Sequence, residues 1–264
     1  MLPTTEAGSV QLRIAEPSDA TEIFALASRV FGEKQFLYTV YQAPQSLKYV
    51  GRLITAGDAN HRFILLKRDL ELLGYYEALL RDGTCFLNYI ATDPAVSGQG
   101  FGKLLLRDFE VMGCNSGCRQ LSLDVFQSNT RAVAWYRNSG FREKSVTYLA
   151  RIALRDAPHK NGMGLRIDKE DIDRALAEER EWGFSKLVCS CGVGCLTLGL
   201  IGGDVCKLLN FEGVTLKQAL GGISVTFHPD RDIVIVSSHD KLDSSWGPLS
   251  TEITLRLTRP IDLE

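Results

Sequence analysis

Residues 84–103 read TCFLNYIATDPAVSGQGFGK: an apolar run, an Asp-Pro stop, and three glycines in five positions ahead of a helical pattern. Asp93-Pro94 ends the run, because the residue before proline is pushed out of helical geometry and proline has no amide for a ladder. Downstream, Phe101, Leu104, Leu105, Phe109 and Met112 recur at helical spacing and are expected to line one buried face. Upstream, 61–67 and 70–80 are strand-like around Arg68-Asp69, and Asp82-Gly83 turns the chain into 84–92, so an antiparallel meander feeds the glycine loop. This setting excludes the dinucleotide fingerprint, which belongs to repeating βαβ units, and without Gly-Lys-Ser/Thr the loop is not a P-loop either. A helix N-terminus with free amides suits a pyrophosphate, although glycines at a strand-to-helix turn serve purely structural ends as well.

Working outward, 10–15 reads as a strand, and Pro17-Ser18 heads a helix with apolar face Ile23, Leu26, Ala27 and Val30. A helix is expected over 44–56, a buried strand over 119–125, a helix over 129–139 ended by Gly140, and a strand over 141–153. The order β-α-α-β-β-β-α-β-α-β defines an α/β (α+β) mixed-sheet domain at 1–153. Residues 154–164 are polar, turn-rich and read as a linker. Residues 165–264 are expected to form a smaller second α/β domain, with strands at 185–191, 195–200, 204–209, 232–237 and 251–258 and a helix near 215–221. Leu165-Arg166-Ile167 with Ala-Leu-Ala at 175–177 echoes Leu12-Arg13-Ile14 with Ala-Leu-Ala at 25–27, which fits a decayed repeat or chance.

Composition bounds the function. The 264 residues are 45% apolar and 23% charged, which excludes a disordered chain, and Lys+Arg 30 against Asp+Glu 32 excludes a protein built to neutralise many nucleic-acid phosphates. No basic-apolar leader and no apolar run of about 20 residues stands out, so a soluble, cytoplasmic protein without membrane contact is expected. Seven cysteines, an odd number, fit free thiols better than a disulfide framework. Cys189, Cys191, Cys195 and Cys206 could suggest zinc, but structural sites favour Cys-x2–4-Cys pairs on knuckles, whereas Cys189 and Cys191 fall on one face of a strand and read as buried free thiols; His61, His159, His228 and His239 are scattered, so no metal is expected.

Leu123-Asp124-Val125, then Asn129, Ala132, Tyr136 and Gly140-Phe141, stand about 25 residues beyond the glycine loop. Together these motifs resemble the GNAT superfamily of acyl-CoA-dependent N-acetyltransferases over residues 10–150, with a local pattern similar to the branch that acetylates protein N-termini. The resemblance implies acetyl-CoA as co-substrate. Its pantetheine arm would pair with Ile90, Ala91 and Thr92, and its pyrophosphate would meet the amides of Gly98, Gln99, Gly100, Phe101, Gly102 and Lys103. Asn129 would contact the cofactor, Tyr136 would contact it and act as general acid, and Asp124 would be the base. Ser97 departs from the family's usual Arg or Gln, with Lys103 a compensating charge.

The residues themselves keep other readings open. Asp124 alternates with the inward-facing Leu123 and Val125, so it is either a base or an acceptor for neighbouring turn amides, with Glu77 on the adjacent strand a weaker base candidate. Tyr136 is a phenol suited to proton donation or a core tyrosine on an amphipathic helix. The expected function is acetyl transfer to a primary amine, on a small molecule or a peptide N-terminus. Its rival is a non-catalytic acyl-CoA-binding regulatory protein. The second domain is expected to shape the acceptor pocket or to mediate homodimerisation. After Phe141 the first domain shows one long strand where the family commonly has two, and the last strand, Thr251 to Thr258, is expected to pack there.

Overall fold

The computed structural model describes residues 9–157, 164–192, 194–227, 230–239 and 247–261. The first half runs β1 (Val10–Ile14), α1 (Ala20–Val30), a single turn α2 (Glu33–Phe36), α3 (Ser46–Ala56), β2 (His61–Arg68), β3 (Glu71–Arg81), β4 (Thr84–Thr92), α4 (Phe101–Asn115), β5 (Gln120–Phe126), α5 (Thr130–Asn138) and β6 (Arg142–Ala153). The second half runs α6 (Lys169–Trp182), β7 (Phe184–Cys191), β8 (Gly194–Ile201), β9 (Val205–Glu212), α7 (Leu216–Phe227), β10 (Ile233–Ser238) and β11 (Ser250–Pro260). Each expected strand of the second half is present within a few residues. Of the expected linker, 158–163 lie outside the described residues, as do His159 and His228.

The eleven strands of the described residues form one sheet in the order β1-β2-β3-β4-β5-β11-β6-β10-β9-β8-β7. Strand β11, at the far end of the sequence, lies antiparallel between β5 and β6, pairing Arg256 with Asp124 on one side and Ser250 with Arg151 on the other. The last strand therefore fills the place expected for it. The long β6 is paired on both edges, by β11 and by β10, and carries the sheet from one half into the other. Among the described residues only β4/β5 and β9/β10 run parallel.

The apolar pattern explains the layers. Leu121, Leu123 and Val125 of β5 pack with Phe101, Leu105, Leu106 and Phe109 of α4 and Val133 and Tyr136 of α5 on one face of the first half. Ile23, Leu26 and Ala27 of α1 and Val50 of α3 cover the other face. Leu104 is exposed and Leu106 is buried in its place, because the inward stripe of α4 runs Phe101, Leu105, Leu106, Phe109. Cys189, Cys191 and Cys206 are buried in the core of the second half, and burial pushes the Cys189 and Cys206 thiols up to about 12. A further cluster, including Tyr38, Ala43, Leu149, Phe184 and Ile235, joins the two halves. Among the described residues no helix is long and apolar enough to cross a membrane, and no three His, Cys, Asp or Glu side chains gather as for a metal ion.

Candidate active site

Strands β4 and β5 pair only from Thr84–Leu87 against Gln120–Leu123; beyond that Asn88–Thr92 and Asp124–Phe126 part. The register of β3 against β4 slips between Glu77 and Ala78, leaving Asn88 as an extra residue on β4. Such a bulge reverses which residues face which side. Before it Cys85 and Leu87 enter the α4 core; after it Ile90 turns to that core while Tyr89 and Ala91 face α1 and α3. The parting strands leave an edge of β4 without a partner and open a cleft of about 450 Å³, reached by Asn88, Ile90, Asp124, Asn129, Trp135 and Tyr136.

At the mouth of β4, Asp93 accepts the Ala95 amide at 2.9 Å and pairs with Arg29 at 2.7 Å, fixing the turn into the glycine loop. Gly98 and Gly100 have φ of 82° and 85°, the left-handed region where a side chain is strained, and a Cβ on either would meet nothing within 4 Å. Their glycines thus serve backbone shape and an open approach. The amides of Gln99 and Lys103 already donate to Val96 O and Gly100 O, whereas those of Gly98, Gly100, Phe101 and Gly102 take no backbone acceptor among the described residues. Gly100 caps α4 without a side-chain bond, so these free N–H groups stand at the positive end of a 15-residue helix, as a pyrophosphate requires. Arg131 Nη2 lies 3.4 Å from Ser97 Oγ, a cation beside the loop that the sequence reading did not find. Thr92 ends β4, and Lys103 is exposed on the first turn of α4.

Asn129 caps α5, its Oδ1 accepting the Ala132 amide at 3.1 Å, and also lines the cleft. Tyr136 packs against Trp135 and Phe141 with ring centroids 4.8 and 5.9 Å away. Its phenol has no hydrogen-bond partner among the described residues, and burial pushes its pKa up, so it keeps its proton at neutral pH. Asp124 does not stand free. Arg256 of β11 donates from Nε and Nη2 to its two oxygens, the second at 2.8 Å, while the guanidinium lies over the Phe86 ring at 5.0 Å. Glu77 is buried off the cleft, 2.5 Å from His61 Nε2, and accepts from Asn88 Nδ2 at 3.0 Å.

A second cavity of about 670 Å³ adjoins the first and shares Thr39, Asn88, Tyr89, Asp124 and Phe126 with it. Its far wall comes from β9 and β10. The arrangement is a pair of adjoining spaces, with a phenol along the first and a carboxylate where the two meet. Arg256 was not legible as a site residue, because cross-strand register with a strand 132 residues away has no local signature.

Residues 22–141 match the family described as Acetyltransferase (GNAT) family. A stretch of 136 residues is 24% identical to the spore coat polysaccharide biosynthesis protein SpsD of Bacillus subtilis (strain 168), covering 50% of this chain and 47% of that protein, so the match spans about half of the relative. Among solved structures, a tandem GNAT protein from the clavulanic acid biosynthesis pathway superposes with a TM-score of 0.68 at 11% identity, over 96% of this chain and 98% of that one. A GCN5-related N-acetyltransferase from Kribbella flavida superposes with a TM-score of 0.58 at 13% identity, over 97% of this chain and 72% of that one. At these identities the structural likenesses bear on fold alone.

Proposed function

From the premise that this chain carries a GNAT acetyltransferase segment at residues 22–141, within a fold like that of tandem GNAT proteins, we propose that it transfers an acetyl group from acetyl-CoA to a primary amine. The observation that carries the reading is the cleft between the parted β4 and β5, with the phenol of Tyr136 along it, and the loop that follows β4, whose amides take no backbone acceptor among the described residues. The residues present fit such a co-substrate: Gly98, Gly100, Phe101 and Gly102 offer free donors for its pyrophosphate, Arg131 a nearby cation, and the open edge at Ile90, Ala91 and Thr92 backbone groups for its amide arm. We assign the division of labour as a cofactor-binding unit at 1–153 completed by β11, and a second unit that walls the acceptor space.

Acetyl-CoA supplies an acyl thioester. The acceptor nitrogen bonds to the carbonyl carbon as the carbon–sulfur bond breaks, so one proton must leave the amine and one must reach the sulfur. Tyr136, held protonated by burial, hands its proton to the departing thiolate. An acceptor that arrives as an ammonium first gives its extra proton to solvent, and Asp124, oriented by Arg256, takes the proton released as the carbon–nitrogen bond forms, directly or through water. Backbone N–H groups along the open edge of β4 stabilise negative charge on the carbonyl oxygen.

Thiol release from acetyl-CoA across a broad amine panel tests this. Tyr136→Phe is expected to lower kcat by about 10²-fold or more with little change in the affinity for acetyl-CoA. Acetyl-CoA binding without turnover of any amine, with the variant indistinguishable, would leave a cofactor-binding protein and sink the catalytic reading.

A further inference from the structure

The second half repeats the geometry of the first. Strands β9 and β10 pair in parallel from Val205–Lys207 against Ile233–Ile235 and then part, as β4 and β5 do, and the second cavity lies in this opening. The opening cannot be a second pyrophosphate site of the first kind. The helix that follows, α7, begins directly after Gly213-Val214-Thr215, and its terminus is closed by its own side chains. Gln218 Oε1 accepts the Thr215 amide at 2.8 Å, and Thr215 Oγ1 accepts the Gln218 amide at 3.2 Å.

What stands at the parting point instead is Lys207, the last position of β9 that pairs with β10. Its Nζ donates to Tyr38 O at 3.0 Å, and no carboxylate pairs with it among the described residues. An ammonium has three donors, so at least one is left to the cavity. Among the described residues the only carboxylate lining this space is Asp124, and Arg256 already holds both of its oxygens; among those residues Lys207 and Arg256 set two cations against one carboxylate. A simple alkylammonium would be disfavoured there, whereas a molecule with an amine at the Asp124 end and an acid at the Lys207 end matches the charge along the space. Burial lowers the Lys207 pKa, with Asp124 opposing, and an anion alongside would relieve that penalty.

We propose that the opening between β9 and β10 binds the acceptor, and that Lys207 anchors a carboxylate or phosphate group on that acceptor, so that the substrates are amines bearing an acid. The proposal rests on the acetyltransferase reading for the chemistry, but the anion site is a binding claim with its own readout.

Two matched pairs serve as probes, 4-aminobutyrate with butylamine and O-phosphoethanolamine with ethanolamine, measured on the full chain by calorimetry and by thiol release. The acid-bearing member of at least one pair should bind about tenfold or more tightly, with a correspondingly lower KM, and the pair that responds separates carboxylate from phosphate. Lys207→Met should bring that ratio close to one, while Lys207→Arg should keep a preference; calorimetry with acetyl-CoA checks that both variants remain folded. No preference in the parent protein, or a preference that Lys207→Met retains, overturns the proposal. If calorimetry shows the preference and its loss while no amine is turned over, the anion site stands and the acetyltransferase reading fails; turnover without preference gives the reverse.

Discussion

Asp19 and Asp124 are both carboxylates gripped by an arginine, yet burial gives them different tasks. Asp19 is buried beneath β1, where Arg13 reaches both oxygens at 2.6 and 2.7 Å and the Glu16 amide donates at 2.7 Å. Burial by itself raises such a carboxyl, but these bonds and the nearby Lys67 hold it below its ordinary value. With the folded value below the unfolded one, the stabilisation is complete above about pH 4 and is lost as the pH falls through the folded value. Asp19→Asn should therefore cost on the order of 2 kcal/mol near neutral pH, seen as a lower Tm, and the gap to the parent should close in acid. A gap that persists at low pH would show that the loss is packing rather than charge. Asp124 lies at an accessible junction of cavities, and its arginine comes from the far end of the chain. That Tyr136 and Asn129 face one cleft was legible in the sequence, because their spacing is local to one strand and one helix. Arg256, Arg131 and Lys207 were not, because each reaches the site across strands or helices whose proximity only the folded sheet creates.

The glycine loop and the helix behind it show how an element can be legible in kind and not in detail. Glycines after Asp93-Pro94 announced a strand-to-helix turn, and the structure narrows its free donors to four amides, because those of Gln99 and Lys103 are already spent inside it. The stripe of α4 shifted from Leu104 to Leu106 for a related reason: at 3.6 residues per turn, adjacent leucines at 104, 105 and 106 offer two equally good stripes, and only packing on β5 chooses. Asn88, in the middle of an apolar strand, marks the bulge that turns β4 toward the cleft, a signal visible in sequence as a polar interruption but silent about register. The loop's backbone makes a specific expectation. At Gly100 a Cβ would meet no atom within 4 Å, so Gly100→Ala carries no clash and only the strain of φ 85°. It should cost about 1–2 kcal/mol, and part of that appears as weaker acetyl-CoA binding if the loop relaxes away from the left-handed region. Calorimetry and thermal melting on the same sample separate the two; unchanged affinity together with unchanged Tm would mean that the loop does not depend on this conformation.

At the scale of the molecule, the decisive feature is that sequence halves and sheet halves do not coincide. Strand runs in the second half were readable from alternation, and the missing strand after Phe141 was readable as a gap, but a single sheet of eleven strands was not, because pairing across 100 residues leaves no periodicity to read. A fragment of residues 1–155 would leave one edge of β5 and both edges of β6 unpaired, with Leu255 and Leu257 absent from the core they share with Leu123 and Phe141. Such exposed edges invite aggregation, and the fragment is expected to be insoluble or to fail to bind acetyl-CoA. The register offers a repair. Ser250 lies opposite Arg151, and the Leu249 amide donates to Arg151 O at 2.8 Å, so β6 and β11 already form the two arms of a hairpin without its turn. Joining Ile152 to Leu249 through an Asn-Gly turn, while removing the residues between, converts the long-range pairing into a local one. Ile152, which packs in the core of the second half, would be changed to Thr to keep the new edge soluble. This hairpin chimera should fold and bind acetyl-CoA where the plain fragment does not. Because it lacks β9 and β10, it should show no preference for acid-bearing amines. Failure of the chimera to bind the cofactor, with native-like circular dichroism, would mean that the second half contributes to the cofactor cleft itself and not only to the wall beyond Asp124.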